Sequence, residues 1–297
     1  MVAGHRIAYL TDRGFTDSTA EEVVSCLSRL GYDGVEWGTA HFNVRTKSDA
    51  YLRKLVNLTT EAGLEISEVV IHEDFVSLRE SVRRERVQFG LDSIEAAHSC
   101  GIKTLNLFTG PAPWDPAAPR LGRDISEGTA FEQVVEAFTQ LVELATKRGI
   151  CIALEAVFGQ VCREYFTTME LLRRIISPNL GINLDPSHYV LYGNDVVWVI
   201  KQLSRKIVHV HLKDVIGRPG VMDEDFMFPL LGEGRVNWSE FEQALESVHY
   251  DGYYSVEFES FRYYHTVLAD RPERAAELSM EHVKAILGKK EIRRNEI

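Results

Sequence analysis

Apolar positions along the 297-residue chain alternate between two periods. Short apolar runs bounded by Gly, Asp and Pro read as buried strands, and the stretches between them repeat apolar residues every three or four positions, as on one helix face. Strands are predicted at residues 5–10, 31–37, 64–71, 102–108, 149–158, 180–185, 207–214 and 252–259. Helices are predicted at 18–30, 49–62, 81–100, 127–148, 167–176, 195–204, 238–248 and 271–287, with residues 288–297 as a frayed tail. The first of these shows the reasoning: Ser18 stands as N-cap, Glu21 and Glu22 open the helix, Val23, Val24, Leu27 and Leu30 form its inner face, and Gly31 stops it.

Strict strand–helix alternation means parallel strands joined by helical crossovers. Eight such units in this length predict one α/β domain, a single closed (β/α)8 TIM barrel over residues 1–297. The chain also echoes itself, with LSRLGYDGVEW before the second strand's end and LESVHYDGYYSVEF at the eighth. No GxGxxG or GKS/GKT segment follows the first strand, which removes support from open nucleotide-binding sheets. Two loops are long: residues 109–125, with four prolines and Trp114, and residues 215–235, with GRPG and LGEG. Long loops in a compact domain point to binding segments or lids.

In a barrel, alternate strand residues face the interior, and chemistry sits at the strands' carboxyl ends. Strand five then points Cys151, Ala153 and Glu155 inward, and strand six Gly181, Asn183 and Asp185. Strand seven points Ile207, His209, His211 and Lys213 inward, and strand eight Tyr253, Ser255, Glu257 and Glu259. Glu155, Asp185, His211 and Glu257 share parity and height on four consecutive strands. Three such carboxylates repel one another and raise their own pKa values. A divalent cation resolves that conflict, and three oxygens with one imidazole suit Mn²⁺ first, with Mg²⁺ or Co²⁺ as alternatives.

Composition narrows the partners. The chain is 45% apolar and 26% charged with a net charge of −11, which argues against nucleic acid as the main partner. No run approaches the roughly 18 apolar residues of a membrane span, and the N-terminal stretch lacks a secretory core. Cys26, Cys100, Cys151 and Cys162 have no metal-type spacing, so they read as reduced thiols of a cytoplasmic protein.

Glu155 in ALEAVF, Asp185 and His188 in LDPSH, His211 in HVHLKD, LGEGRVNW, and Glu257 in YSVEFE resemble the xylose-isomerase-like superfamily of barrels. Within it they resemble the sugar isomerase/epimerase branch with ketose 3-epimerases and inosose dehydratases, over nearly the whole chain. The resemblance implies one metal ion held by Glu155, Asp185, His211 and Glu257. It also implies proton removal by one of Glu155 and Glu257 and return by the other, through a metal-stabilised enediolate. His188 and Arg218 then bind substrate, although HLKDVIG ahead of Arg218 departs from the epimerase pattern.

Second-rank substrate contacts are Lys213, which alternatively pairs with Asp214, and Glu36, which alternatively pairs with Arg45. Trp37, Phe108 and Trp114 are candidates to stack on a sugar face. The expected substrate is a small sugar or polyol-derived ketone, with a homo-oligomer possible through the aromatic segment 261–265. A lyase on the same site (a keto-inositol dehydratase, or an enzyme cleaving 3-keto-glycosides or C-glycosides) is the alternative. An abasic-site nuclease of the endonuclease IV type is a remote one, with His41 and His72 near two of the positions it requires.

Overall fold

The computed structural model describes Val2 and residues 4–288. Eight parallel strands close into a barrel: β1 (Arg6–Leu10), β2 (Gly34–Trp37), β3 (Glu65–Ile71), β4 (Thr104–Leu107), β5 (Cys151–Glu155), β6 (Leu180–Leu184), β7 (Ile207–Leu212) and β10 (Tyr253–Val256). Each pairs with its sequence neighbour, and β1 closes against β10 with Ala8 opposite Ser255. The predicted TIM barrel is the observed architecture. The tail expected at 288–297 lies, apart from Gly288, outside the described residues.

The helices between strands are α1 (Ala20–Leu30), α2 (Asp49–Glu61), α3 (Glu80–Cys100), α4 (Glu127–Arg148), α5 (Tyr165–Arg174), α7 (Val196–Leu203), α8 (Trp238–Ser247) and α10 (Pro272–Leu287). Their ends follow local chemistry. Thr19, rather than Ser18, caps α1, because its hydroxyl accepts from Glu22 N while the Glu22 carboxylate reaches back to Thr19 N. Gly31, Gly101 and Gly149 end α1, α3 and α4 in the left-handed region. Outward strand residues such as Tyr9, Val35, Leu105, Ile152 and Leu154 pack against these helices, each at most 1% exposed.

Two short helices add to the expected set: α6 (Pro186–Leu191), directly after β6, and α9 (Phe261–Thr266), in the aromatic segment. A small antiparallel hairpin of β8 (Ile216–Gly217) and β9 (Phe226–Met227) occupies the long loop after β7. All these extras stand beyond strand carboxyl ends, and they shape the barrel mouth. No helix among the described residues is long and apolar enough to cross a membrane.

Three aspartates just past strand ends tie the mouth loops to the barrel. Asp12 accepts from Thr39 N and Ala40 N, Asp74 accepts from Val76 N and Ala112 N, and Asp214 gathers the loop before α8. At each a glycine makes the approach possible. A Cβ on Gly38, Gly110 or Gly234 would fall about 2 Å from the Asp12, Asp74 or Asp214 carboxylate (1.9, 1.9 and 2.0 Å).

Candidate active site

Glu155 ends β5, Asp185 follows β6 as the N-cap of α6, His211 lies near the end of β7, and Glu257 follows β10. The structure brings all four together: one ligand atom from each lies within 4.8 Å of the others, and all four side chains are buried. His211 Nδ1 is 3.4 Å from Glu155 Oε1 and 3.1 Å from Glu257 Oε2. Glu155 Oε2 turns the other way, accepting from Asn106 Nδ2 at 3.0 Å and Asn183 Nδ2 at 3.3 Å. Two amides thus fix that carboxylate from beneath and leave Oε1 toward the mouth.

The electrostatics are those of a crowded anionic pocket with too few cations. Burial pushes the Glu155 carboxyl up, but His211 and Lys213 outweigh burial and the nearby Glu257, so its pKa falls below the usual carboxylate range. For Glu257 burial is likewise overcome, here by Lys213, His211 and Arg13. Asp185 goes the other way: burial, with Glu257 and Glu155 adding to it, exceeds the pull of Lys213 and raises its pKa. Burial opposes the charged imidazole of His211, yet Glu36, Glu155 and Glu257 hold its pKa well above the ordinary histidine value.

Lys213 supplies the other cation. Its Nζ lies 2.8 Å from Asp185 Oδ2, 2.7 Å from Glu257 Oε2 and 3.0 Å from Glu259 Oε2. An ammonium group therefore already bridges two of the four candidate ligands, a stand-in for the positive charge that a divalent ion would bring. Oxygen-rich donors with one imidazole fit such an ion, and these residues can hold one. Lys213 does not pair with Asp214, against that sequence expectation. Asp214 instead accepts from Val215 N, Gly232 N, Gly234 N, Val236 N and Trp238 Nε1, all at 2.9–3.1 Å. The LGEG segment is a cradle for this buried carboxylate.

Glu155 and Glu257 border a cleft of about 250 Å³ whose walls also include Arg13, His72, Phe108, Trp114, Phe158, His188, Lys213 and Glu259. A larger cavity of about 840 Å³ shares Arg13 but is walled by α1, α9 and the start of α10, and it contains none of the four groups. His188 projects from α6 with Nε2 3.2 Å from Asp185 Oδ2, its ring against Phe158 and Phe228. Burial first and Lys213 second lower its pKa to about 3, so the ring is neutral. Trp114 is half-exposed on the rim, edge-on to Phe108.

Several expectations are corrected. Arg218 is 84% exposed and lies 3.8 Å from Asp225, because the hairpin of β8 and β9 carries it away from the cleft. Glu36 is fully buried below the mouth, 2.9 Å from His211 Nε2, and reaches neither the cleft nor Arg45, which pairs with Glu73. Trp37 is a core residue whose Nε1 donates to Thr59 Oγ1. His41 packs on Trp37 and bonds the Ser18 carbonyl, away from the cleft, while His72 pairs with Asp12 at 2.9 Å.

Sequence reasoning missed Arg13, whose guanidinium sits 2.7 Å from Glu259, although TDRG follows the first strand on the same face. It also missed Glu68 and Asn106. Both are polar residues at inward positions of apolar strands, and that was the available signal. Glu36, Glu68, His209 and His211 form a second tier beneath the first, with ligand atoms within 4.8 Å of one another. Burial lifts Glu68 to about 8, so it carries its proton at neutral pH.

Comparison with known proteins bears on the family and the fold. A probable ketose 3-epimerase of Synechocystis is 26% identical over 253 residues, covering 81% of this chain and 79% of that protein. An inosose dehydratase of Bacillus anthracis is 24% identical over 268 residues, covering 82% and 83%. Other relatives match over less of their length: 66% of an uncharacterised Methanocaldococcus jannaschii protein and 64% of an inosose isomerase of Halalkalibacterium halodurans. The chain thus spans about two thirds of the length of these relatives. Among solved structures, the IOLI protein with a bound zinc atom superposes with a TM-score of 0.76 at 19% identity, covering 96% of this chain and 98% of that one. D-psicose 3-epimerase superposes with a TM-score of 0.75 at 17% identity, covering 95% and 99%. The model of the xylose isomerase-like TIM barrel matches residues 24–286, and the chain belongs to that family.

Proposed function

We propose that the protein is a divalent-metal-dependent sugar isomerase or epimerase that moves a proton on a carbon next to a carbonyl. The observation that carries this reading is the pair Glu155 and Glu257, both lining the cleft and both reaching toward His211 Nδ1 from different strands. Each is held in the charged form, so either can accept a proton from a substrate carbon between them. When bound by Glu155, Asp185, His211 and Glu257, a divalent ion supplies electrostatic stabilisation for the negative charge that develops on the substrate oxygens.

The remaining groups bind and orient. Neutral His188 offers a ring nitrogen to a substrate hydroxyl, and its Nδ1 is buried without a hydrogen-bond partner. Phe108, Phe158 and Trp114 give one wall an apolar face suited to a sugar ring. The cleft, at about 250 Å³, suits a single small ketose or polyol-derived ketone. The relatives' names, ketose 3-epimerase and inosose isomerase or dehydratase, support that substrate class. The metal we favour is Mn²⁺, with Mg²⁺ or Co²⁺ next, and the setting we favour is the cytoplasm.

One observation favours a second reading, a lyase. Lys213 Nζ lies 2.7 Å from Glu257 and 3.3 Å from His188, so an ammonium donor stands beside the base, and a lyase needs a donor to protonate a departing hydroxyl. The test is incubation of the Mn²⁺-loaded protein in heavy water with D-fructose, and separately with an inosose. The expected result is deuterium on the carbon beside the carbonyl together with an epimer or aldose. Loss of water from the inosose would select the lyase. No deuterium uptake from any ketose or inosose would rule out the proton-transfer chemistry altogether.

A further inference from the structure

The two ring nitrogens of His211 face different tiers of the barrel. Nδ1 looks to the mouth, toward Glu155 and Glu257. Nε2 looks into the barrel, 2.9 Å from Glu36 Oε1 and 3.2 Å from Glu36 Oε2, so both carboxylate oxygens of Glu36 straddle one nitrogen. Glu36 comes from β2, across the barrel from β7, and is fully buried. Asn183 Nδ2 also lies 3.1 Å from Nε2, but its amide is shared with Glu155 Oε2 at 3.3 Å. That amide NH₂ is a donor and could pair only with an unprotonated Nε2, whereas the Glu36 carboxylate oxygens can only accept, so the closer carboxylate calls for a proton on Nε2.

An imidazole that ligates a metal through one nitrogen must carry its proton on the other. We propose that Glu36 is a positioning residue for the metal centre: it accepts the Nε2–H of His211, fixes the ring's tautomer and plane, and leaves the Nδ1 lone pair as the ligand. Glu36 thus takes a role distinct from contact with substrate. The inference rests on the reading that the upper tier holds a metal, and it is independent of what reaction follows.

The lower tier is what holds Glu36 in place. Glu68 sits beside it in register on β3, with Oε1 3.0 Å from His209 Nδ1 and 3.2 Å from Asn106 Nδ2. His209 Nδ1 in turn lies 3.1 Å from Asn183 Oδ1. The four groups Glu36, Glu68, His209 and His211 could themselves be read as a second ion site, sharing His211 between two metals. Geometry favours the scaffold over the site. The tier's members already hydrogen-bond to one another, all are at most 2% exposed, and the cleft walls include none of them.

The experiment measures metal binding rather than turnover. Protein labelled with ¹⁵N in its histidine rings and loaded with Zn²⁺ is read by long-range ¹H–¹⁵N correlation. His211 is expected with the proton on Nε2 and the metal on Nδ1; the reverse assignment overturns the proposal without any variant having to fold. Co²⁺ titration of Glu36→Gln is expected to show affinity weaker by roughly 10–100-fold. The equally buried Glu68→Gln, whose carboxylate stays 3.8 Å from His211, is expected to change affinity by less than about 3-fold. Unchanged affinity in Glu36→Gln overturns the proposal, and so does a second bound ion per chain that disappears in Glu68→Gln. If the tautomer is as expected and heavy-water exchange is absent, the enzymatic reading fails while the positioning role stands.

Discussion

Replacing either Glu155 or Glu257 by Gln lowers kcat/KM for the exchanging ketose by on the order of 10³-fold or more, with the barrel intact. Each substitution removes a proton acceptor, a loss that alone is typically 10²–10⁴-fold. Each also exchanges a charged oxygen donor for a neutral amide among the four groups that lie within 4.8 Å of one another. The fold has reason to survive, because Gln keeps the shape and relieves repulsion between buried carboxylates. Glu155→Gln even keeps an oxygen for the amides of Asn106 and Asn183. The two variants should differ in one respect. If the residues serve opposite faces of the substrate carbon, each loses proton exchange from one epimer more than from the other. Initial-rate deuterium uptake with both epimers measures this. Equal retention of exchange in both variants would show that neither glutamate moves the proton.

Asp214→Ala destabilises the folded protein by about 3–5 kcal/mol, the range for breaking a buried charged network. Asp214 is fully buried and accepts from four backbone N–H groups and the Trp238 indole. Alanine leaves these donors buried and unpaired, and each such donor costs about 1–3 kcal/mol when it finds no other partner. Loop relaxation and entering water recover part of that sum. For a chain of this size the thermal midpoint should fall by roughly 6–10 °C. Asp214→Asn should fall between, since its amide keeps one acceptor oxygen but turns an NH₂ toward N–H donors. A midpoint within about 1 °C of the parent for Asp214→Ala would mean that the LGEG cradle contributes little stability.

These two predictions rest on two kinds of strand-end charge, and the difference explains what was legible in the sequence. Alternation of strand and helix revealed the barrel, because each periodic segment in this chain buries one face. Parity along β5, β7 and β10 placed Glu155, His211 and Glu257 on the interior, and a shared position at the strand ends gave them equal height. Depth was less accessible. Glu36 has the right parity, but the register of β2 against β3 shifts between Val35 and Glu36, and it falls one tier lower, opposite Glu68. Barrel stagger sets that depth, and no local pattern encodes it.

Ionisable residues at strand ends are not all chemical. Asp12, Asp74 and Asp214 hold loops, and their marker is a glycine distant in sequence (Gly38, Gly110, Gly234) that only the folded chain brings near. Arg218 was misplaced for another reason. The segment 215–227 looked like open loop, yet Gly217, at a φ of 105°, packs against Asp225 and Phe226 in a hairpin that turns Arg218 outward.

The central claim is that the barrel mouth holds a divalent ion between Glu155, Asp185, His211 and Glu257. Metal content by mass spectrometry, after Mn²⁺ loading and desalting, tests it most directly in the parent protein and in Asp185→Asn. The account predicts about one ion per chain in the parent and almost none in the variant. A parent protein that retains no ion, or an Asp185→Asn variant that retains as much as the parent, would contradict it.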